Sequence, residues 1–140
     1  MSEETPPGDR WLVLYDADCG LCKWLLAGLL RWDRTRRLRP VPLDGTQAET
    51  LLSDLDPGER MASWHLIGPG GERRSAGAAL APLVAMLPGG RAPSAMLARF
   101  PAVTGRGYRW VADNRGRLSS LVPARSKERA ARLVASREQR

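Results

Sequence analysis

Cys19 and Cys22 are the only cysteines among 140 residues, and a spacing of three lets their sulfurs pass between dithiol and disulfide. Exchange begins with a thiolate, so the chemistry needs one thiol held in a place that favours ionisation and a second within its reach. Both conditions follow if the pair opens a helix. The unpaired N–H groups and the positive end of the dipole then sit at Cys19, while Cys22 lies one turn in. Cys19 is therefore the candidate attacking thiol and Cys22 the candidate resolving thiol. Gly20 would leave room for a substrate sulfur, and Leu21 offers an apolar contact. Three charges flank the pair. Asp16 and Asp18 would raise a neighbouring thiol pKa by repulsion, or accept the proton of the resolving thiol, or simply hold the turn and cap the helix. Lys23 would act in the opposite direction.

Two other readings of the pair stay open. A Cys-x-x-Cys can be half of a zinc site, but four ligands are needed, and His65 is the only further soft ligand. No metal is expected within one chain, which leaves a site shared between two chains as the first alternative. Two inert, buried thiols are the second, since cysteine packs well as a small hydrophobe. His65 reads as a sheet histidine with satisfied ring nitrogens rather than a base.

The elements that must position the pair are legible on either side of it. Trp11 to Tyr15 is apolar and β-prone, and Cys22, Leu25, Leu26, Leu29 and Leu30 recur at helical spacing. A strand over about 11–16 and a helix over about 20–36 follow. Leu38 to Leu43 contains Pro40 and Pro42, which cannot donate to a ladder, so this strand belongs at a sheet edge, parallel to the first. A short helix is predicted over about 46–54, with Thr46 and Glu49 in capping-box spacing, ending before Asp56-Pro57-Gly58. Strands at 63–67 and about 72–75 join through Gly68-Pro69-Gly70-Gly71, and a helix with Pro82 near its start runs over 76–87. Helices at 94–99 and about 104–115 come after. The β-α-β-α-β-β-α order up to residue 88 is the minimal thioredoxin or glutaredoxin arrangement. The expected fold is α/β: a thioredoxin/glutaredoxin-like four-stranded mixed sheet with flanking helices and extra C-terminal helices.

Tyr15-Asp16-Ala17-Asp18-Cys19-Gly20-Leu21-Cys22 resembles the signature of the DCC family of predicted thiol–disulfide oxidoreductases. The resemblance continues through Val41-Pro42-Leu43, Gly77-Ala78-Ala79-Leu80 and Tyr108 to Arg115. It implies a thioredoxin-like fold and thiol–disulfide exchange, with a protein or small-molecule disulfide as substrate and a dithiol as electron donor. No bound cofactor is implied. One feature departs from thioredoxins and glutaredoxins, which place a cis-proline before the strand facing the cysteines. Here Met61, Ala62 and Ser63 stand in that position and become the substrate-facing candidates. Asn114 and Arg115 read as fasteners of the extra helices.

The totals bound the alternatives. A chain that is 43% hydrophobic and 26% charged is an ordinary globular protein, read as a leader (1–10), one domain (11–123) and a basic tail (124–140). The net charge of +7 invites a nucleic-acid or adaptor reading. The last 17 residues hold six Arg or Lys against two Glu, so +4 of it lies in the tail, which would be mobile and dispensable for folding. With no recognised binding motif, nucleic acid is not an expected partner. A non-catalytic binding or adaptor protein, whose tail docks a nucleic acid or an acidic partner and whose cysteines are structural or a redox switch, is the competing function. No apolar run reaches a membrane span, and the acidic, polar start is unlike a secretory signal, so a cytoplasmic location is expected.

Overall fold

The computed structural model describes residues 10–138, apart from the side chain of Ala62; all but the last residue of the expected leader lies outside that range. Strand β1 (Trp11–Tyr15) leads into helix α1 (Gly20–Trp32), and β2 (Leu38–Pro42) returns alongside it. Two short helices, α2 (Thr46–Leu51) and α3 (Pro57–Ala62), precede strands β3 (His65–Ile67) and β4 (Arg73–Ser75). A 3-10 turn at Ala76–Ala79 runs into α4 (Leu80–Ala85). Then come α5 (Arg91–Arg99), α6 (Pro101–Asp113), α7 (Arg115–Leu121) and α8 (Ala124–Glu138).

The sheet order is β2-β1-β3-β4, with β2 parallel to β1 and the other neighbours antiparallel. Pro40 and Pro42 therefore lie on an edge strand, opposite Val13 and Tyr15, where their missing N–H groups cost no ladder bond on the open side. Side chains alternate across the sheet. Val13, Tyr15 and Leu66 join a core with Leu26 and Leu30 of α1, whereas Leu14, Val41 and Ile67 join a second core with Ala48 and Leu52. The result is a thioredoxin-like α/β fold with a four-stranded mixed sheet and flanking helices. Among the described residues no helix is long and apolar enough to cross a membrane.

Asp33 ends α1 and is fully buried. Its carboxylate accepts from the main-chain N–H of Arg37 at 3.0 Å and of Leu38 at 2.8 Å, which fixes the turn from α1 into β2. Asp33→Ala would strand two donors around a void. We expect the unfolding free energy to fall by roughly 2–4 kcal/mol, read from urea unfolding curves; a change under about 0.5 kcal/mol would contradict this role.

Several expectations are corrected. The helix expected over 20–36 stops at Trp32, because Asp33 takes over the capping. Thr46 and Glu49 form no capping box; Gly45 is the N-cap of α2. The box occurs in the next helix, where Asp56 and Glu59 cap each other's main chain around Pro57. The largest correction concerns the tail, since residues 124–138 are helix α8, packed on α1 and β2. Ala130 and Val134 are buried in the main core, and Leu133 packs against it. Small residues one turn apart are enough to seat this helix. The Tyr15 hydroxyl also donates to the Glu138 carboxylate, and Arg39 Nε donates to the Glu138 carbonyl at 3.2 Å.

Helix α6 reaches the cysteine region through a glycine contact. A Cβ on Gly77 would stand 3.0 Å from the Cα of Gly105, so the two backbones meet closely enough that a side chain at Gly77 would force a shift.

Candidate functional site

Buried β1 ends at Tyr15, and the chain turns on Asp16. The Asp16 carboxylate accepts from the Asp18 N–H at 2.9 Å, and its carbonyl accepts from the Cys19 N–H at 3.2 Å. This turn delivers Cys19 to the first helical boundary in extended conformation. The cap of α1 is thus Cys19 and not Asp18, which is exposed. The Cys22 N–H donates to Cys19 Sγ at 3.2 Å, so the first sulfur occupies the place where a helix N-terminus best supports negative charge. Both cysteines are free thiols and half-buried.

Cys22 has a different environment. Burial, with the nearby Cys19 sulfur, pushes its thiol up to about 12, while the Arg115 guanidinium pulls the other way by charge and hydrogen bonding. Arg115 opens α7 and stands 3.7 Å from the Asp16 carboxylate. Burial works against its charge, but Cys22, Cys19 and Asp16 together raise its pKa. Tyr108 of α6 lies close by. Its hydroxyl is raised by burial, lowered by a hydrogen bond with the Trp64 main chain, and feels both Cys22 and Arg115.

A cavity of about 680 Å³ adjoins Cys22, while Cys19 and Gly20 are not on its wall. Cys22, Asp16, Tyr108 and Arg115 are on its wall, and most of the remaining wall is apolar.

Among the residues singled out from sequence, Cys22, Asp16, Leu21, Met61 and Ser63 share this cavity. Leu21 is buried in its wall rather than offered at the surface. Ala62 ends α3, and its side chain lies outside those described. Gly20 does not leave open space for a substrate sulfur: a side chain there would meet the Lys127 stem at 3.2 Å and the Ser119 hydroxyl at 3.7 Å. The cation that acts on Cys22 is Arg115, not Lys23. His65 is buried, with Nδ1 2.5 Å from the Ser75 hydroxyl and Nε2 3.0 Å from the Arg60 carbonyl. Nε2 must donate to that carbonyl, which leaves Nδ1 to accept from Ser75. Burial lowers the ring's pKa, and this neutral histidine fastens β3 to β4 and α3.

The family model of the DCC1-like thiol-disulfide oxidoreductase matches residues 13–121, which include both cysteines, Tyr108 and Arg115. The chain belongs to that family. No curated protein and no solved structure matches it. Membership in the DCC1-like family agrees with the placement of a close thiol pair at a helix mouth. Arg115 and Tyr108 are the residues that sequence reasoning undervalued. The signal was their position in the last segment of the family resemblance, where Arg115 was read as a structural fastener and Tyr108 was given no role.

Proposed function

We propose that this DCC1-like protein exchanges thiols and disulfides through Cys19 and Cys22, with Cys19 attacking and Cys22 resolving. The observation that carries this reading is the cap geometry, with Cys19 Sγ receiving the Cys22 N–H at 3.2 Å. In the reducing direction the Cys19 thiolate attacks a substrate disulfide. A Cys19–substrate S–S bond forms, the substrate's own S–S bond breaks, and one substrate sulfur leaves as a thiolate that takes a proton from solvent. Cys22 then loses its proton and attacks Cys19 Sγ. The Cys19–Cys22 disulfide forms, the second substrate sulfur leaves, and two electrons have passed to the substrate. A small dithiol or dithiol protein restores the pair by the same two exchanges.

Arg115 supports the second step, since its guanidinium favours the thiolate of Cys22 against the cost of burial. Asp16, held by its own turn and by Arg115, faces the same cavity and is the candidate acceptor of the Cys22 proton. The cytosol, where thiols are kept reduced, is the compartment that suits the cycle.

A brief iodoacetamide pulse on the reduced protein tests the assignment, with the label mapped by mass spectrometry. With its thiol pushed up to about 12, Cys22 is almost entirely protonated at neutral pH. Cys19 should therefore be alkylated at least about tenfold faster than Cys22. Equal or reversed labelling would overturn the roles.

A further inference from the structure

The cavity beside Cys22 has features that exchange chemistry alone does not require. Its volume, about 680 Å³, falls among small-molecule sites, which span roughly 300–1,000 Å³. Leu83 of α4, Leu97 of α5 and Val111 of α6 supply apolar wall. Leu25, Met61 and Val103 also line it, yet each is about half exposed or more, at 45%, 45% and 65%, so they form an apolar mouth. The polar groups gather at Cys22, where Asp16, Arg115 and Tyr108 meet. Other polar wall atoms are already engaged: the Thr104 hydroxyl donates to the Leu97 and Phe100 carbonyls, and the Ser63 hydroxyl to the Trp64 carbonyl. The Tyr15 hydroxyl on the wall is engaged by Glu138, and Asp113, exposed at the end of α6, is a further charged side chain there.

The loop before β3 argues against an extended peptide as the occupant. The Trp64 carbonyl already accepts from the Ala76 N–H at 3.2 Å and from the Ser63 hydroxyl at 3.2 Å. An incoming strand would find the Trp64 carbonyl already engaged.

We infer that this cavity is the substrate site and that it selects small amphiphilic disulfides, with the S–S bond at the Cys22 end, where Cys19 Sγ lies 3.2 Å from the Cys22 N–H just outside the wall, and an alkyl body along Leu83, Leu97 and Val111. The inference rests on the exchange chemistry set out above and names its substrate class. A chain entering past Leu25 and Val103 replaces water on the wall with methylene groups. Each buried methylene should tighten binding about three- to fourfold.

Two matched series of compounds, from butyl to octyl and below their micellar concentrations, form the test. The first is redox-inert alkyl 2-hydroxyethyl sulfides, with Kd measured by calorimetry. The second is the corresponding alkyl 2-hydroxyethyl disulfides, with kcat/KM measured under dithiothreitol above the uncatalysed rate. Both Kd and kcat/KM should improve about three- to fourfold per methylene until the chain fills the cavity. Gly107→Phe should flatten both series, because Gly107 is a helical wall residue with open space where its side chain would stand. A sulfide series without length dependence would overturn the cavity as the site, even if bis(2-hydroxyethyl) disulfide is reduced and the exchange chemistry stands. Faster reduction of a protein disulfide such as insulin beside such a flat series would point to a protein substrate and equally overturn it. A steep sulfide series with no disulfide reduced would sink the exchange chemistry itself, and the substrate assignment with it.

Discussion

Cys22→Ser should accumulate a covalent adduct with any disulfide that the protein accepts, whereas Cys19→Ser should accumulate none. Both variants should lose turnover by about 10³-fold or more, since each lacks one half of the exchange. Their failures differ in kind because the two sulfurs are placed differently. Cys19 keeps its cap position when residue 22 becomes serine, since its hydrogen-bond donor is the main-chain N–H of that residue. It can still attack, and the mixed disulfide then waits for an external thiol. When residue 19 becomes serine, the remaining thiol is the one that burial pushes up, and it has neither the cap nor the dipole to begin. A serine hydroxyl at residue 19 would still cap α1, so the loss cannot be blamed on an unravelled helix. Intact-mass spectrometry of each variant after exposure to bis(2-hydroxyethyl) disulfide should show one adduct, reversed by dithiothreitol, on Cys22→Ser alone. An adduct on Cys19→Ser alone would exchange the roles, and none on either would remove the thiols from the working site.

The parts of this architecture set by local chemistry were legible in the sequence. Two prolines force β2 to an edge, and the apolar run at Trp11 to Tyr15 leads straight to Cys19. The pair's spacing announced a helix mouth, although one open reading made Asp18 the cap, because aspartate is the stronger capping residue in general. Asp16 wins that competition from outside the helix. It draws the Asp18 and Cys19 N–H groups into its turn and leaves the sulfur facing the helix. Helix α3 was not predicted, although Asp56, Pro57 and Glu59 are a start signal. Pro57-Gly58 reads equally well as a stop, and that reading hid it.

What sequence could not supply was tertiary. Arg115 lies 93 positions beyond Cys22, and only the approach of α6 at Gly77 and Gly105 and its turn into α7 brings the guanidinium to the sulfur. Asp33 is similar. An aspartate at the end of a helix looks misplaced against the dipole, until its carboxylate is seen to serve the two N–H groups that start β2. Both residues act through main-chain geometry that no spacing rule reports.

Removing residues 124–140 should abolish cooperative folding, the opposite of what their composition suggests. The segment carries six cations and only Leu133 and Val134 as large aliphatics, the pattern of a solvated helix. In the fold α8 makes the most extensive helix–helix contact, and its partner is the cysteine helix α1. Val134 is 1% exposed and Ala130 fully buried, in one cluster with Leu26, Ala27 and Leu30 of α1. Truncation would bare that face of α1, release Tyr15 and Arg39 from Glu138, and uncover Gly20 where the Lys127 stem lies. Domains of this size are stable by about 5–15 kcal/mol, so losing one side of a core is not absorbed. The point variant Val134→Asp separates packing from charge. It keeps the helix and its cations but sets an unpaired carboxylate among leucines, which costs roughly 3–5 kcal/mol. Thermal melts followed by circular dichroism should give no cooperative transition for the 1–123 chain. For Val134→Asp the midpoint should fall by at least about 10 °C. Val134→Ile at the same site should shift it far less, because it stays apolar and changes volume by one methylene. If the 1–123 chain instead melts cooperatively within a few degrees of the full chain and reduces disulfides at the same rate, α8 is an appendage, and the adaptor reading of these residues regains its footing.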